Sequence, residues 1–166
     1  SILMAADCAR VTRVPVTEFP LLGRATMGNF VFNVRSGPNV NSNVISASFV
    51  LPDDDNQAVL TVSKQGYGKL TMVDQYILAS RDTTGIDPFG RKFEMDIAAI
   101  EVLDNMKLAD ESVVAYIIIT TSGGKVIKMS MDDLPVVARP ARGNIVVNLE
   151  NGEIVTAVTV SYEKSE

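Results

Sequence analysis

The chain has no histidine. That removes Ser-His-Asp triads, imidazole general bases and most zinc sites together. It has one cysteine, Cys8, so no cysteine cluster can bind zinc and no internal disulfide can form. A reducing compartment is expected. Cys8 reads as a small buried hydrophobe in the first hairpin rather than a reactive thiol. No apolar run reaches the roughly 18 residues of a membrane span, so no membrane partner is expected. No charged n-region followed by an apolar stretch marks a signal peptide. The start at Ser1, inside an apolar strand, is what a piece cut from a longer chain would show. Hydrophobic residues make up 46% and charged residues 21%, an ordinary globular composition and not a disordered one.

What is present is a β pattern. Val, Ile and Thr are abundant, and there are 11 glycines in 166 residues. Ile117–Thr121, Ser122-Gly123-Gly124 and Lys125–Met129 read as strand, turn and strand. Ile145–Leu149 and Ile154–Val160 flank Asn151-Gly152, the dipeptide best suited to a tight turn. Two hairpins of this kind are expected to make one four-stranded antiparallel sheet. The unit occurs three times. Apolar anchors Phe19, Tyr76 and Leu134 stand 57 and 58 residues apart, each followed after five residues by Arg24, Arg81 or Arg139 and after nine by Gly28, Gly85 or Gly143. A fixed period of this length with four strands marks propeller blades or a related radial array. The expected fold is all-β, a propeller-like array of three four-stranded antiparallel blades over about 1–54, 55–112 and 113–166. Neighbouring blades must stack to make the core.

In the first repeat the expected strands are Ile2–Ala6, Arg10–Val14, Phe30–Val34 and Val44–Leu51. In the second, Val59–Ser63 and Lys69–Val73 flank Gln65-Gly66-Tyr67-Gly68, and a short helical turn is expected within Asp104–Ser112. The glycines before Lys69 do not make a phosphate loop, because no Gly-x-x-x-x-Gly-Lys-Ser/Thr is present and a strand follows. Asp53-Asp54-Asp55 could hold a hard cation, but it lacks the alternating spacing and closing glutamate of a calcium loop and reads as a solvated turn. Asp132-Asp133 reads as a turn cap, since neighbouring residues on a strand face opposite ways and rarely form a hydrolase's carboxylate pair. No metal and no cofactor is expected.

The net charge of −5 argues against a uniformly basic nucleic-acid binder. The distribution is uneven. Segments 10–28, 64–85 and 125–143 hold Arg10, Arg13, Arg24, Lys64, Lys69, Arg81, Lys125, Lys128, Arg139 and Arg142 against five acids, while the remainder holds five bases and fifteen acids. A repeat places equivalent residues along one arc, so a curved positive edge is expected. It would suit a bent polyanion such as duplex DNA. The plainer reading is a set of hairpin cations, with the three arginines tied to nearby carbonyls or carboxylates.

Val62-Ser63-Lys64-Gln65-Gly66-Tyr67-Gly68-Lys69-Leu70-Thr71 with Tyr76 and Arg81 resembles the repeat of the C-terminal domain of bacterial gyrase A and of its topoisomerase IV counterpart. Thr120–Lys128 with Leu134, Arg139 and Gly143, and Asn151–Val155, look like further parts of that repeat. The resemblance covers essentially the whole chain, with the first copy weakest. It implies a β-pinwheel whose neighbouring blades exchange a strand. It implies non-sequence-specific binding and bending of duplex DNA, with the ten basic residues above as phosphate contacts. It further implies an accessory domain of an ATP-dependent type IIA topoisomerase, partnered by that enzyme's catalytic core, cytoplasmic and nucleoid-associated. The domain itself would carry no chemistry, so none of Tyr67, Tyr76, Tyr116 and Tyr162 is catalytic.

Departures from the family pattern qualify the wrapping. The Gln-Arg-Arg-Gly-Gly-Arg-Gly stretch used for chiral wrapping is absent, and Leu70 stands where Arg13 and Lys128 stand in the other repeats. Three repeats are fewer than the family's usual five or six. The chain is therefore expected to be a fragment, an open arc, or half of a ring that a second copy completes as a homodimer. The competing reading is an acidic propeller-like module that has lost DNA and binds protein through loop tips Arg35–Asn43 and Asp87–Lys92.

Overall fold

The computed structural model describes residues 1–37, 40–52 and 56–164, apart from the side chain of Met106. The strands among them are β1 (Ile2–Ala6), β2 (Arg10–Val14), β3 (Val44–Phe49), β4 (Ala58–Ser63), β5 (Tyr67–Met72), β6 (Ile97–Val102), β7 (Val113–Thr121), β8 (Val126–Ser130), β9 (Asn144–Ile145) and β10 (Val155–Lys164). They form three antiparallel sheets, ordered β2-β1-β3, β6-β4-β5-β9 and β10-β7-β8. One short helix, Asn105–Leu108, follows β6, inside the segment where a helical turn is expected. No helix among the described residues is long and apolar enough to cross a membrane.

The first hairpin of each repeat forms as its sequence dictates. β1 pairs with β2 from Ile2–Val14 to Ala6–Arg10, β4 with β5 from Ala58–Met72 to Val62–Gly68, and β7 with β8 from Tyr116–Ser130 to Thr120–Val126. Strand-length runs joined by a short turn pair most readily with each other.

The expected second hairpins do not form. The turn at 150–153 is present, with the Glu153 N–H donating to the Glu150 carbonyl at 3.0 Å. The runs on either side of it join different sheets. β9 pairs with β5 of the preceding repeat, Ile145 opposite Tyr67 and Asn144 opposite Gly68, while β10 pairs with β7. One repeat earlier the same step recurs: Ile86 and Val11 exchange N–H···O=C bonds at 2.8 Å each way. Each third strand therefore belongs to the sheet before its own, the strand exchange that the family resemblance implies. Alternation of apolar residues says which face a strand buries but not which edge it joins. Among the described residues only the middle sheet reaches four strands. Among the described residues the expected strand at Phe30–Val34 is reduced to one bridge, Phe32 with Thr83.

Glycine marks the crossings. Gly85 and Gly143 have φ of 71° and 84°. A Cβ at Gly85 would lie 2.9 Å from the Val11 carbonyl oxygen, and one at Gly143 would press into the Gly68 carbonyl. Both the positive φ and the close approach exclude other side chains.

The core lies between sheets. Leu3, Ala5 and Val11 meet Val59, Ile97 and Ile100, with Tyr76 and Phe89 of the connecting segments packed among them. Leu60 and Val62 meet Ile117 and Ile119, sealed by Leu134 and Val147. β4 thus buries both faces, and each such Leu or Ile contributes about 2 kcal/mol. Met4, Ala6 and Val14 on the outer face of the first sheet are covered by Phe32, with Cys8 half-buried against them.

Candidate nucleic-acid interface

The spacing from anchor to arginine to glycine follows from the crossing. After each anchor the chain runs parallel to the preceding sheet's edge, Leu78 beside Arg13 and Val136 beside Leu70. The arginine then folds back over the preceding repeat. The Arg81 guanidinium lies 6.0 Å from the Phe19 ring. Arg139 Nη1 donates to the Asp87 carbonyl at 2.6 Å, and its backbone N–H donates to Gln75 Oε1 at 2.7 Å. Both arginines are half-buried. Arg139 is thus tied to a nearby carbonyl, as in the plainer of the two expectations, while Arg81 lies against the Phe19 ring.

Lys69 is not on the surface. Its side chain is fully buried, and its ammonium donates to the Pro88 carbonyl at 2.6 Å and to the Arg139 carbonyl. Desolvation first, and then the Arg139 charge, lower its pKa to about 8. The third repeat's crossing strand covers this face of β5, so a residue expected to contact phosphate instead ties two crossings together. Arg13 is also committed, donating to Ser1 Oγ at 3.0 Å and to the Val73 carbonyl at 3.4 Å.

The third repeat's cations meet carboxylates. Lys125 lies 2.9 Å from Glu150 and 3.0 Å from Glu153. The Thr121 hydroxyl, the Glu150 N–H and Lys125, in that order, hold the Glu153 carboxyl down at about 2. Lys128 lies 2.6 Å from Glu163 and 4.3 Å over the Tyr116 ring. Exposed pairs of this kind add little stability, but they cancel local charge. Asp132 and Asp133 sit exposed in a 3₁₀ turn that Ser130, not either aspartate, caps by accepting the Asp132 N–H at 3.2 Å. Asp53-Asp54-Asp55 lies outside the described residues. Among those described, no group of three or more metal-ligating side chains comes together.

Arg24 and Arg142 are exposed and Lys64 is half-buried. Arg142 stacks 4.4 Å over Tyr67 and 5.7 Å over Phe93, whose ring also carries Lys92 at 4.8 Å. Beside this patch is a hollow of about 290 Å³ at the junction of the repeats, lined by Arg10, Gly85, Ile86, Asp87, Gly90, Arg91 and Arg139. Asp87 Oδ1 accepts the N–H groups of Phe89 and Gly90 at 2.9 and 3.0 Å, which shapes the loop. One arginine comes from each repeat. Arginine is the side chain best suited to a phosphate, which it can bind bidentately. Arg91 is absent from the sequence-derived set because it lies outside the three equivalent segments. Its signal is Arg91-Lys92 directly after the Asp87-Pro88-Phe89-Gly90 loop.

The family described as "DNA gyrase C-terminal domain, beta-propeller" matches residues 1–39, 57–86 and 115–161. The DNA gyrase A subunit of Campylobacter fetus is 30% identical over 150 residues, 87% of this chain and 15% of that protein. The DNA gyrase A subunit of Ureaplasma parvum is 27% identical over 160 residues, 96% of this chain and 17% of that protein. The chain thus spans about a sixth of the length of these curated relatives. The C-terminal domain of a DNA topoisomerase IV shares the fold with a TM-score of 0.77 at 14% identity, over 96% of this chain and 46% of that one. The E. coli ParC C-terminal domain does so with a TM-score of 0.62 at 16% identity, over 96% of this chain and 61% of that one. With the crossing strands, the stacked sheets and this match over most of its length, the chain belongs to the family of the DNA gyrase C-terminal domain, a non-catalytic accessory β-pinwheel.

Proposed function

We propose that this domain binds duplex DNA along a curved basic rim, without reading sequence, and bends it. The observation that carries the reading is the hollow where Arg10, Arg91 and Arg139 meet, one from each repeat, beside Arg142 and Lys92. Phosphate contacts of this kind set register and curvature but carry no base information. Arg24, Lys64 and Arg81 extend the rim along the first two repeats. Lys69 holds the junction rather than DNA. The domain serves the catalytic core of an ATP-dependent type IIA topoisomerase, in the cytoplasm at the nucleoid, and a homodimer completes its ring.

A labelled duplex titrated by fluorescence anisotropy across a salt series tests this. Binding should weaken steeply with salt, and Arg91→Ala with Arg142→Ala should lower the logarithmic salt slope by about 0.9 for each phosphate no longer neutralised. End-to-end energy transfer on the same duplex reads the bend. Absence of binding at low salt, or an unchanged slope in the variant, refutes the reading. The pairing of Lys125 and Lys128 with glutamates favours a second reading, a protein-binding module, for the third repeat's surface.

A further inference from the structure

A hollow of about 520 Å³ opens at the junction of the second and third sheets, within the size range of ligand pockets. Buried Leu70, Leu103, Met131 and Leu134 line it, with half-buried Leu108 and, 62% exposed, Val136. Two differences between repeats account for the space. Gln57 and Tyr76 of the second repeat are buried. The third repeat has the smaller Ala115 and Leu134 at those positions, 58 residues on, and both line the hollow. Gln57 accepts the Leu51 N–H at 2.8 Å and donates to the Leu103 carbonyl at 3.3 Å. Ala115 can do neither. The matching N–H, that of Asp104, goes instead to the Tyr162 hydroxyl at 2.8 Å, and Tyr162 stands opposite Ala115 on β10. The junction is thus held without a side chain in the space that a glutamine at 115 would fill.

The rim of this hollow is acidic. Glu111 and Asp132 line it, both exposed, and among the described residues its lining holds no cation. Unlike Glu150, Glu153 and Glu163, neither carboxylate forms an ion pair with a described residue. Both sit in loops fixed by local bonds. Beside Glu111, Asp110 Oδ1 accepts the Ser112 N–H at 3.0 Å and the Ser112 hydroxyl at 2.7 Å. The Asp132 N–H donates to Ser130 Oγ. Carboxylates so placed repel phosphate, so the hollow is no part of a DNA rim.

We propose that the hollow docks a basic segment of a protein partner. A leucine- or phenylalanine-sized side chain enters it, and lysine or arginine on either side pairs with Glu111 and Asp132. An apolar centre inside a polar rim is the anatomy of a specific interface, and charge of one sign at that rim selects the partner. Carboxylates already held by their loops give up little freedom on binding. The proposal does not depend on the DNA reading.

Labelled peptides titrated into the 166-residue chain test it, with affinity read by anisotropy and place by methyl NMR. One peptide has central leucines flanked by lysines, a second the same leucines flanked by glutamates, a third the same lysines around serines. Only the first should bind saturably, and it should shift the methyl signals of Leu103, Leu134 and Val136. Ala115→Gln refills the space as Gln57 does one repeat earlier, and should weaken binding by about tenfold or more as the apolar burial of a leucine is lost. Glu111→Gln with Asp132→Asn, at exposed positions that leave the fold intact, should weaken it by roughly three- to tenfold and abolish the preference over the glutamate peptide. No binding by the first peptide, equal binding by the first two, or an affinity unchanged by the carboxamide pair would overturn the proposal. So would methyl shifts that follow the chain's own concentration, which would place a second copy in the hollow, or shifts produced by a DNA duplex.

Discussion

Gly143→Ala isolates the cost of the strand crossing. Gly143 passes over β5 with φ of 84°, and an added Cβ would press into the Gly68 carbonyl and lie 2.9 Å from the Lys69 Cβ. The left-handed backbone alone costs an L-residue about 1–2 kcal/mol. The obstruction is backbone, so no side-chain rotation relieves it and β9 must lift from β5. That gives up the bonds of the Tyr67–Ile145 and Gly68–Asn144 pairs, at about 1 kcal/mol each. It also loosens Val147, which is buried in the second core cluster, for roughly 1–2 kcal/mol more. The expected loss is about 4–6 kcal/mol, which in a domain of this size lowers Tm by roughly 10–20 °C. Gly152→Ala is the control. Its φ is 80°, but nothing lies within 4 Å of the added carbon, so only the conformational cost of about 1–2 kcal/mol applies. Urea unfolding followed by circular dichroism reads both, with an unchanged m-value required for comparison. Equal destabilisation of the two variants would refute the argument that close approach, and not turn geometry, sets the need for glycine at 143.

Glu153 has a folded pKa held at about 2, below its usual 4.5; the stability it contributes is present above pH 4.5 and lost as pH falls towards 2, so acid unfolding should lose this component in Glu153→Gln. Lys69 has a folded pKa of about 8, below its usual 10.5; the unfolded chain holds its proton longer, so stability rises from about pH 8 towards 10, and Lys69→Met should abolish that rise in urea midpoints taken across the window. Burial raises the Tyr76 pKa in the folded state, which costs stability only above its unfolded value of 10.0 and so leaves that window clear. Ile117→Ala, at a fully buried position between the second and third sheets, should cost about 2–5 kcal/mol by the same urea measurement.

The first hairpins and the glycine positions were legible because both are local. Ile2–Ala6 with Arg10–Val14 emerges with the expected bounds, since an apolar run, a short turn and a second run rich in valine and threonine favour a local hairpin. The Asn151-Gly152 turn was also legible, but its hairpin was not. A turn brings the chain round; which edge the next strand joins is decided by a neighbour more than a full repeat away, as Val146 donating to the Gly66 carbonyl at 2.9 Å shows. The apolar run at residues 145–147 fits either partner. The family resemblance supplied that exchange where periodicity did not. Charge placement divided in the same way. Counting by segment collected cations on one arc, but it could not tell that Lys69 faces inward under the next repeat's crossing strand. Nor could it see that Glu150, Glu153 and Glu163, remote in sequence from Lys125 and Lys128, fold back against them.

That neutralisation makes the third repeat the place where the DNA reading is most exposed to test. If phosphates compete for Lys125 and Lys128, each must first leave a carboxylate at 2.9 or 2.6 Å. Such exposed pairs hold only weakly, so DNA can break them, but the remaining carboxylates repel the duplex. Lys128→Gln should therefore change affinity little, whereas Arg91→Ala in the hollow should change it clearly. The converse substitution is sharper. Glu150→Gln with Glu163→Gln leaves Glu153 and its Thr121 bond in place, frees Lys128, and removes two negative charges from the third repeat's surface. Binding to a duplex should strengthen, and the logarithmic salt slope should steepen by about 1 as a further phosphate is engaged. An affinity and slope unchanged by the pair would mean that DNA does not approach the surface of Lys125 and Lys128, confining the rim to the first two repeats and the arginine hollow at the junction of the three.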